Sequence, residues 1–211
     1  MPPRTSAVRS QPSPRPGRHL LPREFVAQHK RRRITDAIAE LTAEHGYEST
    51  KIGDIVRRAG VARKTLYDNF KGKEDAFLAA FDTAANEALK RVEAACAEAG
   101  TDWERRIEAA LAAFLDFVAE EPARARMCMI EAMSATPAAN QRYEATVQRF
   151  VALARDNAPS HGRLSETTED TLIGGVAWIV HQKIRHGEAE KAPQLLPELS
   201  EFVLAPFRVV A

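Results

Sequence analysis

Apolar residues recur at helical spacing along almost the whole chain after residue 22. Apolar positions three and four residues apart form one face of an α-helix, whereas the strict alternation of a half-buried strand is not found in any stretch. Beyond residue 72, helices are predicted at about 73–99, 101–118, 123–133, 138–157, 166–186 and 194–206, with Gly and Pro residues between them. The pattern therefore predicts an all-α protein.

The first 72 residues carry three predicted helices, of which the last two are short. The first begins with an apolar stripe at Phe25 and stops before residue 46, and the second covers residues 52–59. Gly60 closes the second helix in the left-handed conformation, and Ser49 or Thr50 is placed to cap its start. The third helix turns Leu66 inward and basic and polar side chains outward. Two short helices joined by a glycine turn are the geometry that places a helix in the major groove of DNA.

The charge is divided unevenly between the two parts of the chain, although the formal net charge is only +1. Residues 1–81 contain 16 Lys and Arg against 9 Asp and Glu, and residues 82–211 contain 14 against 20. This division indicates a polyanion-binding front part. Residues 1–22 hold six of the twelve prolines and no acidic residue, which predicts a disordered basic arm. The arm is either a solvated tail or an additional DNA contact.

No grouping of residues predicts an enzyme or a metal site. Cys96 and Cys128 lie 32 positions apart without metal-ligand spacing, and His181 and His186 would point away from each other on a helix. No apolar run approaches the roughly 20 residues of a membrane span, and the N-terminus lacks the apolar segment of a secretory signal. We expect a cytoplasmic protein that is not an enzyme and needs no cofactor, no metal and no membrane.

Between about residues 28 and 82 a set of residues stands at characteristic intervals. The set is Gly46-Tyr47, Thr50, Ile55, Ala59-Gly60-Val61, Thr65-Leu66-Tyr67, Phe70 and Lys73-Glu74. In this set the chain resembles the tetracycline-repressor (TetR) family of bacterial regulators. The resemblance implies a three-helix helix-turn-helix head followed by a larger helical domain that binds a ligand and dimerises. We expect an arm over 1–22, the DNA-binding head over 23–72 and the ligand-binding and dimerisation domain over 73–211.

The resemblance also implies roles in binding double-stranded DNA, divided into phosphate contacts that fix register and base contacts that read sequence. Phosphate contacts are implied for Tyr67 and Lys73, with Thr50 close to the DNA backbone. The implied groove readers are Arg63, Lys64, Thr65 and Asn69. The chain departs from the family at Ala62, where a Ser often caps the recognition helix, and at the bulky Lys64.

The last two predicted helices carry apolar residues that we predict to form the interface of a homodimer. These residues are Leu172, Gly175, Val176, Ile179, Leu195, Leu199 and Phe202. Gly174 and Gly175 lie inside the predicted helix and weaken it unless something packs closely against them, and an opposing helix would do so. Two heads about 34–36 Å apart would then read a palindromic operator on successive turns of DNA.

Large side chains in the back part are candidate contacts to an unknown small apolar effector, and each one could equally be plain core. They are Phe114, Phe117, Met127, Met129, Met133, Tyr143, Phe150 and Trp178, with Glu131 as a polar handle. The family resemblance implies a repressor that releases its operator on binding the effector. Two alternatives stay open: a DNA-binding regulator without an effector, and a helical enzyme or carrier with a vestigial head.

Overall fold

The computed structural model describes residues 23–157 and 164–208, and in these ranges every regular element is a helix. The elements of the front part are α1 (Arg23–His45), α2 (Ile52–Ala59) and α3 (Arg63–Asn69). The back part comprises α4 (Lys73–Glu98), α5 (Trp103–Glu120), α6 (Pro122–Arg126), α7 (Ala132–Ala135), α8 (Pro137–Asn157), α9 (Glu166–Arg185) and α10 (Leu196–Arg208). The all-α prediction is confirmed, and the predicted arm over 1–22 lies outside the described residues.

The single helix predicted over 123–133 is wrong in its interior. A π-helical turn, Met127–Glu131, separates α6 from α7, and the amide of Ala132 donates to the carbonyl of Met127, five residues earlier. A π-helical turn holds one residue more than an α-helical turn, so the side chains that follow it point in different directions. Such turns occur frequently at functional sites. A 3₁₀ helix, Ala189–Leu195, likewise precedes α10.

Two clusters of buried apolar side chains make up the core. One joins α1, α2 and α3 to α4, and it also takes in Phe117 of α5 and Met127 of the π-helical turn. The other is formed mainly by α5, α9 and α10. The head therefore shares its core with part of the back half. The predicted boundary after residue 72 separates α3 from α4, but buried residues on both sides of it belong to one core cluster. None of the helices in the described ranges is long and apolar enough to cross a membrane.

Side chains of α1 hold the ends of the two short helices. Arg33 donates to the carbonyl of Gly60 at 3.1 Å, and Arg31 donates to the carbonyl of Asn69 at 3.0 Å. Both arginines thus satisfy carbonyls at helix C-termini, where a positive charge is favourable. The prediction that Phe25 belongs to the inward stripe is wrong, because its side chain is 54% exposed.

The start of α2 also differs from the prediction. Lys51 is the N-cap residue and makes no side-chain capping bond, so neither Ser49 nor Thr50 caps the helix. The Thr50 hydroxyl donates instead to the carbonyl of Gly46 at 2.9 Å.

The glycine turn after α2 can be tested against a second glycine in the same helix. We expect Gly60→Ala to destabilise the protein by about 1–2 kcal/mol, because Gly60 has a φ of +59° and a Cβ there would meet the Arg33 guanidinium. Gly53→Ala is the matched control and should stabilise the helix by about 0.5–1 kcal/mol, since a Cβ at Gly53 meets nothing within 4 Å. Urea unfolding measures both, and equal effects would contradict this account of the turn.

Candidate functional site

The outer face of α3 carries a small group of exposed cationic and aromatic side chains. Arg63 and Lys64 are exposed and Tyr67 is 48% exposed, whereas Leu66 on the opposite side is fully buried. The Arg63 guanidinium lies 5.9 Å from the centre of the Tyr67 ring. Ala62 is the N-cap residue and makes no side-chain capping bond. The helix therefore presents donors outward while its inner side fixes it to the head.

Two further residues predicted to contact bases, Thr65 and Asn69, are only half-buried on the same helix. The Asn69 side-chain amide donates to the carbonyl of Thr65 at 2.7 Å. An amide group has two N–H donors and a carbonyl acceptor, so Asn69 keeps one donor and its acceptor for another partner.

Thr50 does not fit its predicted place beside DNA. The residue is 2% exposed, and its hydroxyl is engaged with the carbonyl of Gly46. A buried hydroxyl that already donates cannot reach a phosphate, so Thr50 serves the turn between α1 and α2 instead.

The peptide groups of Tyr47, in that same turn, are bonded by two side chains from the back half. The Lys73 ammonium, at the start of α4, donates to the Tyr47 carbonyl at 3.0 Å and lies 4.0 Å from the centre of its ring. The Tyr47 amide donates to a carboxylate oxygen of Glu131 at 3.0 Å. The ring is buried and packs edge-on against Phe77 at 4.9 Å, and burial raises the pKa of its hydroxyl. Lys73 keeps two N–H donors for a phosphate.

A second connection between head and back half is formed by Arg124 of α6, whose side chain is only 14% exposed. Its guanidinium donates to Asp36 of α1 at 2.7 Å and to Glu87 of α4 at 2.9 Å, and it lies 3.6 Å from Glu121. Three helices thus meet at one guanidinium group, which has enough N–H donors to serve several carboxylates.

A cavity of about 150 Å³ lies between α4, α5, α8 and α9. Its walls are almost wholly apolar, and no Asp, Glu, Lys or Arg lines it among the described residues. Cys96 and Cys128 both line the cavity; burial raises the pKa of the Cys128 thiol to about 12 and also raises that of Cys96. Both thiols are therefore protonated at neutral pH. The described ranges hold no group of three His, Cys, Asp or Glu that could bind a metal ion.

The residues predicted as ligand contacts divide between the cavity and other places. Those that line it are Phe114, Phe117, Met129, Tyr143 and Phe150. Met127 is buried in the head core, Glu131 bonds to Tyr47, and Met133 and Trp178 are 46% and 59% exposed. Met127 and Glu131 do not line the cavity because the π-helical turn points their side chains toward the head. Cys128 and Met129 of the same turn reach the cavity.

Small residues that sequence reasoning missed create the space in the cavity. They are Ala84, Ala85, Ala88, Ala110, Ala125 and Ala177. The alanines on one face of the helix predicted over 73–99 indicate this cavity in the sequence, since small side chains opposite large ones leave a gap.

The predicted dimer residues lie on α9, on α10 and in the 3₁₀ helix. Ile179 and Phe202 are 41% and 44% exposed. The others face inward within the chain: Leu172, Val176 and Leu199 are buried and Leu195 is half-buried. A Cβ at Gly175 would lie 3.0 Å from the Phe202 ring of the same chain. The predicted close packing against Gly175 is thus provided by Phe202 of the same subunit and needs no opposing helix.

Comparison with known proteins finds a family that the head resembles. Residues 34–80 match the family model described as "Bacterial regulatory proteins, tetR family". Over this head, the chain is similar to the TetR family. The matched residues run from α1 through α3 into the first turns of α4, which includes the Tyr47 turn and the exposed face of α3.

Two curated proteins that resemble the front part of the chain are named as a fatty acid metabolism regulator and as a transcriptional activator. The fatty acid metabolism regulator protein of Bacillus subtilis is 36% identical over 72 residues, which cover 34% of this chain and 37% of that protein. The HTH-type transcriptional activator FasR of Mycolicibacterium smegmatis is 31% identical over 98 residues, which cover 46% and 42%. The chain thus spans about two fifths of the length of these relatives.

Solved structures of TetR-family regulators resemble the chain over most of its length. The fatty acid degradation regulator FadR from Bacillus halodurans has a TM-score of 0.76 at 18% identity, over 85% of this chain and 96% of that one. FadR from Bacillus subtilis, in complex with stearoyl-CoA, has a TM-score of 0.72 at 18% identity, over 83% and 98%. The likeness concerns the fold, and it confirms the predicted head with a larger helical domain behind it.

The Arg124 connection generates a prediction about stability. Arg124→Met should destabilise the protein by about 2 kcal/mol, because it leaves three carboxylates close together without their shared cation. Arg57→Met, which removes an exposed pair with Asp54, is the control and should cost less than about 1 kcal/mol. Urea unfolding compares them, and equal losses would show that Arg124 is not a structural link.

Proposed function

We propose that this protein is a DNA-binding transcriptional regulator of the TetR family that responds to a small ligand. The observation that carries the proposal is the pair of contacts to Tyr47, by which the head with its cationic α3 is bonded to the segment that lines the cavity. Coupling between a DNA site and a ligand site needs an element whose arrangement both sites bias, and the Tyr47 contacts join the two parts of the chain at such an element.

The α3 face suits binding in a major groove. Arg63 or Lys64 pairs with guanine O6 and N7, which are acceptors in the major groove. Tyr67 and Lys73 bind phosphates and so fix the register of the head without reading sequence. Asn69 pairs with adenine through the donor and acceptor that its bond to Thr65 leaves free. Thr65 lies on the same helix as a further groove contact.

A homodimer on a palindromic operator completes this mode of binding. One head reads only a few base pairs, and a second head one turn of DNA away adds affinity and specificity. The exposed apolar side chains Ile179 and Phe202 are the part of α9 and α10 that we assign to the contact between two subunits. The Phe202 ring packs over Gly175, one helical turn before Ile179, and neighbouring exposed apolar side chains of this size are typical of such contacts.

The effector that we propose is a slim apolar molecule, and a fatty acyl chain is the class that fits best. The cavity is narrow and lined by apolar side chains, and a cavity of about 150 Å³ of this kind admits a molecule about as large as benzene. A structural neighbour, FadR from Bacillus subtilis, is in complex with stearoyl-CoA. An acyl chain is narrow enough for such a space and gains free energy from leaving water.

Release of DNA follows if the ligand moves the π-helical turn. Cys128 and Met129 of this turn line the cavity, and Glu131 at its end accepts the amide of Tyr47. A ligand that prefers a state in which this bond is altered shifts the population away from the DNA-binding geometry, which makes the protein a repressor. A DNA-binding regulator without an effector is the competing function, and it predicts no such shift.

Selection of bound fragments from random DNA by the full chain tests the DNA-binding proposal. We expect a palindromic site. Arg63→Ala should relax the preference at one position of each half-site by about 1–3 kcal/mol, whereas Tyr67→Phe should weaken all sites similarly by about 1 kcal/mol. Lys90→Ala, an exposed cation on α4, is the control and should change neither. Recovery of no palindrome would contradict the proposal.

The link through Glu131 can be tested with octanoyl-CoA as the ligand. We expect octanoyl-CoA to lower operator affinity, and Glu131→Gln to reduce that effect about fivefold, since a bond to a charged acceptor is about 1 kcal/mol stronger than one to a neutral acceptor. Glu98→Gln, on the exposed end of α4, is the control. Operator titrations with and without octanoyl-CoA measure both variants. An unchanged effect in Glu131→Gln would show that the signal takes another route.

A further inference from the structure

A groove of about 260 Å³ runs between α8 and α9 beside the cavity. Tyr143, Val147 and Ala177 line both the groove and the cavity. These three side chains therefore form the wall between the two spaces. A molecule in the cavity that extends past them enters the groove.

Gly174 lies in this groove, in the interior of α9. A glycine inside a helix costs about 0.5–1 kcal/mol relative to alanine, so its presence calls for a reason. The neighbouring Gly175 lies under the Phe202 ring, whereas a Cβ at Gly174 would meet nothing within 4 Å in the described part of the chain. Packing inside the subunit thus explains Gly175 but not Gly174, whose open side faces the groove. The sequence predicts the helix of a second subunit as the packing partner there, and the mass measurement below distinguishes that helix from a ligand in the groove.

The volumes also favour a ligand that occupies both spaces. Typical small-molecule sites measure about 300–1,000 Å³. The cavity, at about 150 Å³, lies below this range, and the adjoining groove is larger than the cavity itself. The cavity therefore holds only the narrow apolar end of a ligand, and the rest needs the groove.

The chemistry of the groove indicates what the rest of the ligand is. Among the described residues that line it, Glu144 is the one carboxylate and His181 the one imidazole, and neither a Lys nor an Arg lines it. A carboxylate placed there would lose water without gaining a Lys or Arg partner and would face Glu144. Gln148 and the hydroxyl of Tyr143 can instead donate to a carbonyl oxygen, and burial raises the pKa of Tyr143, so its hydroxyl keeps its proton.

We propose that the groove between α8 and α9 is the mouth of the cavity and binds the neutral polar linkage of a ligand whose apolar chain fills the cavity. The ligand class is an acyl ester, thioester or amide and excludes the free fatty acid anion. This inference rests on the proposed function only in assuming that the cavity binds a ligand, and it is independent of DNA binding.

Calorimetry on the full chain tests whether the groove binds a neutral linkage. The affinities of octanoyl-CoA, octanoate and coenzyme A alone are compared. We expect octanoyl-CoA to bind at least tenfold more tightly than octanoate, and coenzyme A alone to bind weakest. Tyr143→Phe should weaken octanoyl-CoA about fivefold and leave octanoate unchanged. Octanoate binding as tightly as octanoyl-CoA would overturn the neutral linkage, and absence of binding by every probe would overturn the inference as a whole. Fragment selection would then still decide DNA binding separately.

Two substitutions at Gly174 test whether the ligand occupies the groove. Gly174→Leu should weaken octanoyl-CoA at least tenfold by filling the groove, whereas Gly174→Ala should bind within twofold of the unmodified protein and unfold at a higher temperature. Light scattering and operator titration accompany both variants, and we expect an unchanged mass and operator affinity. Unchanged ligand binding in Gly174→Leu, or a changed mass, would overturn the inference, the second by making the groove a subunit contact. If Gly174→Leu does not fold, the octanoyl-CoA response of Tyr143→Phe decides.

Discussion

The backbone of Tyr47 lies between two charged side chains that belong to the back half of the chain. Lys73 donates to its carbonyl and Glu131 accepts its amide, each at 3.0 Å. Both side chains are held in place by their own elements, the first turn of α4 and the π-helical turn. A buried backbone group that loses a charged partner costs about 1–3 kcal/mol, so the turn between α1 and α2 is sensitive to either element.

The Tyr47 turn is connected to both the α3 face and the cavity wall. Toward the head, the core around Phe77 and Leu66 fixes α3 relative to α4, which sets where its cationic face lies. Toward the cavity, the same π-helical turn contributes Cys128 and Met129 to the wall. Arg124 adds a second tie between α1, α4 and α6. Packed interiors change between discrete arrangements and do not deform smoothly, so a change at the wall reaches the turn.

The head could be predicted from sequence because its signals are local. Apolar spacing gives α1, α2 and α3, and the left-handed turn requires a glycine at position 60. The π-helical turn could not be predicted, because residues 127–130 are all apolar and hide the phase shift that an added residue makes in the helical pattern. The sequence therefore predicts Met127 and Glu131 as ligand contacts, whereas both side chains contact the head. The prediction for Thr50 is wrong for a related reason: a threonine suits a helix cap or a phosphate contact, but this one is buried and makes neither.

The central claim is that occupation of the cavity changes the bond between Glu131 and Tyr47. Amide hydrogen exchange, resolved for single residues by NMR in the full chain with and without saturating octanoyl-CoA, tests it most directly. The account predicts faster exchange at the Tyr47 amide on addition of the ligand, together with slower exchange in the helices that line the cavity. Slower exchange at the cavity with an unchanged Tyr47 amide would contradict it.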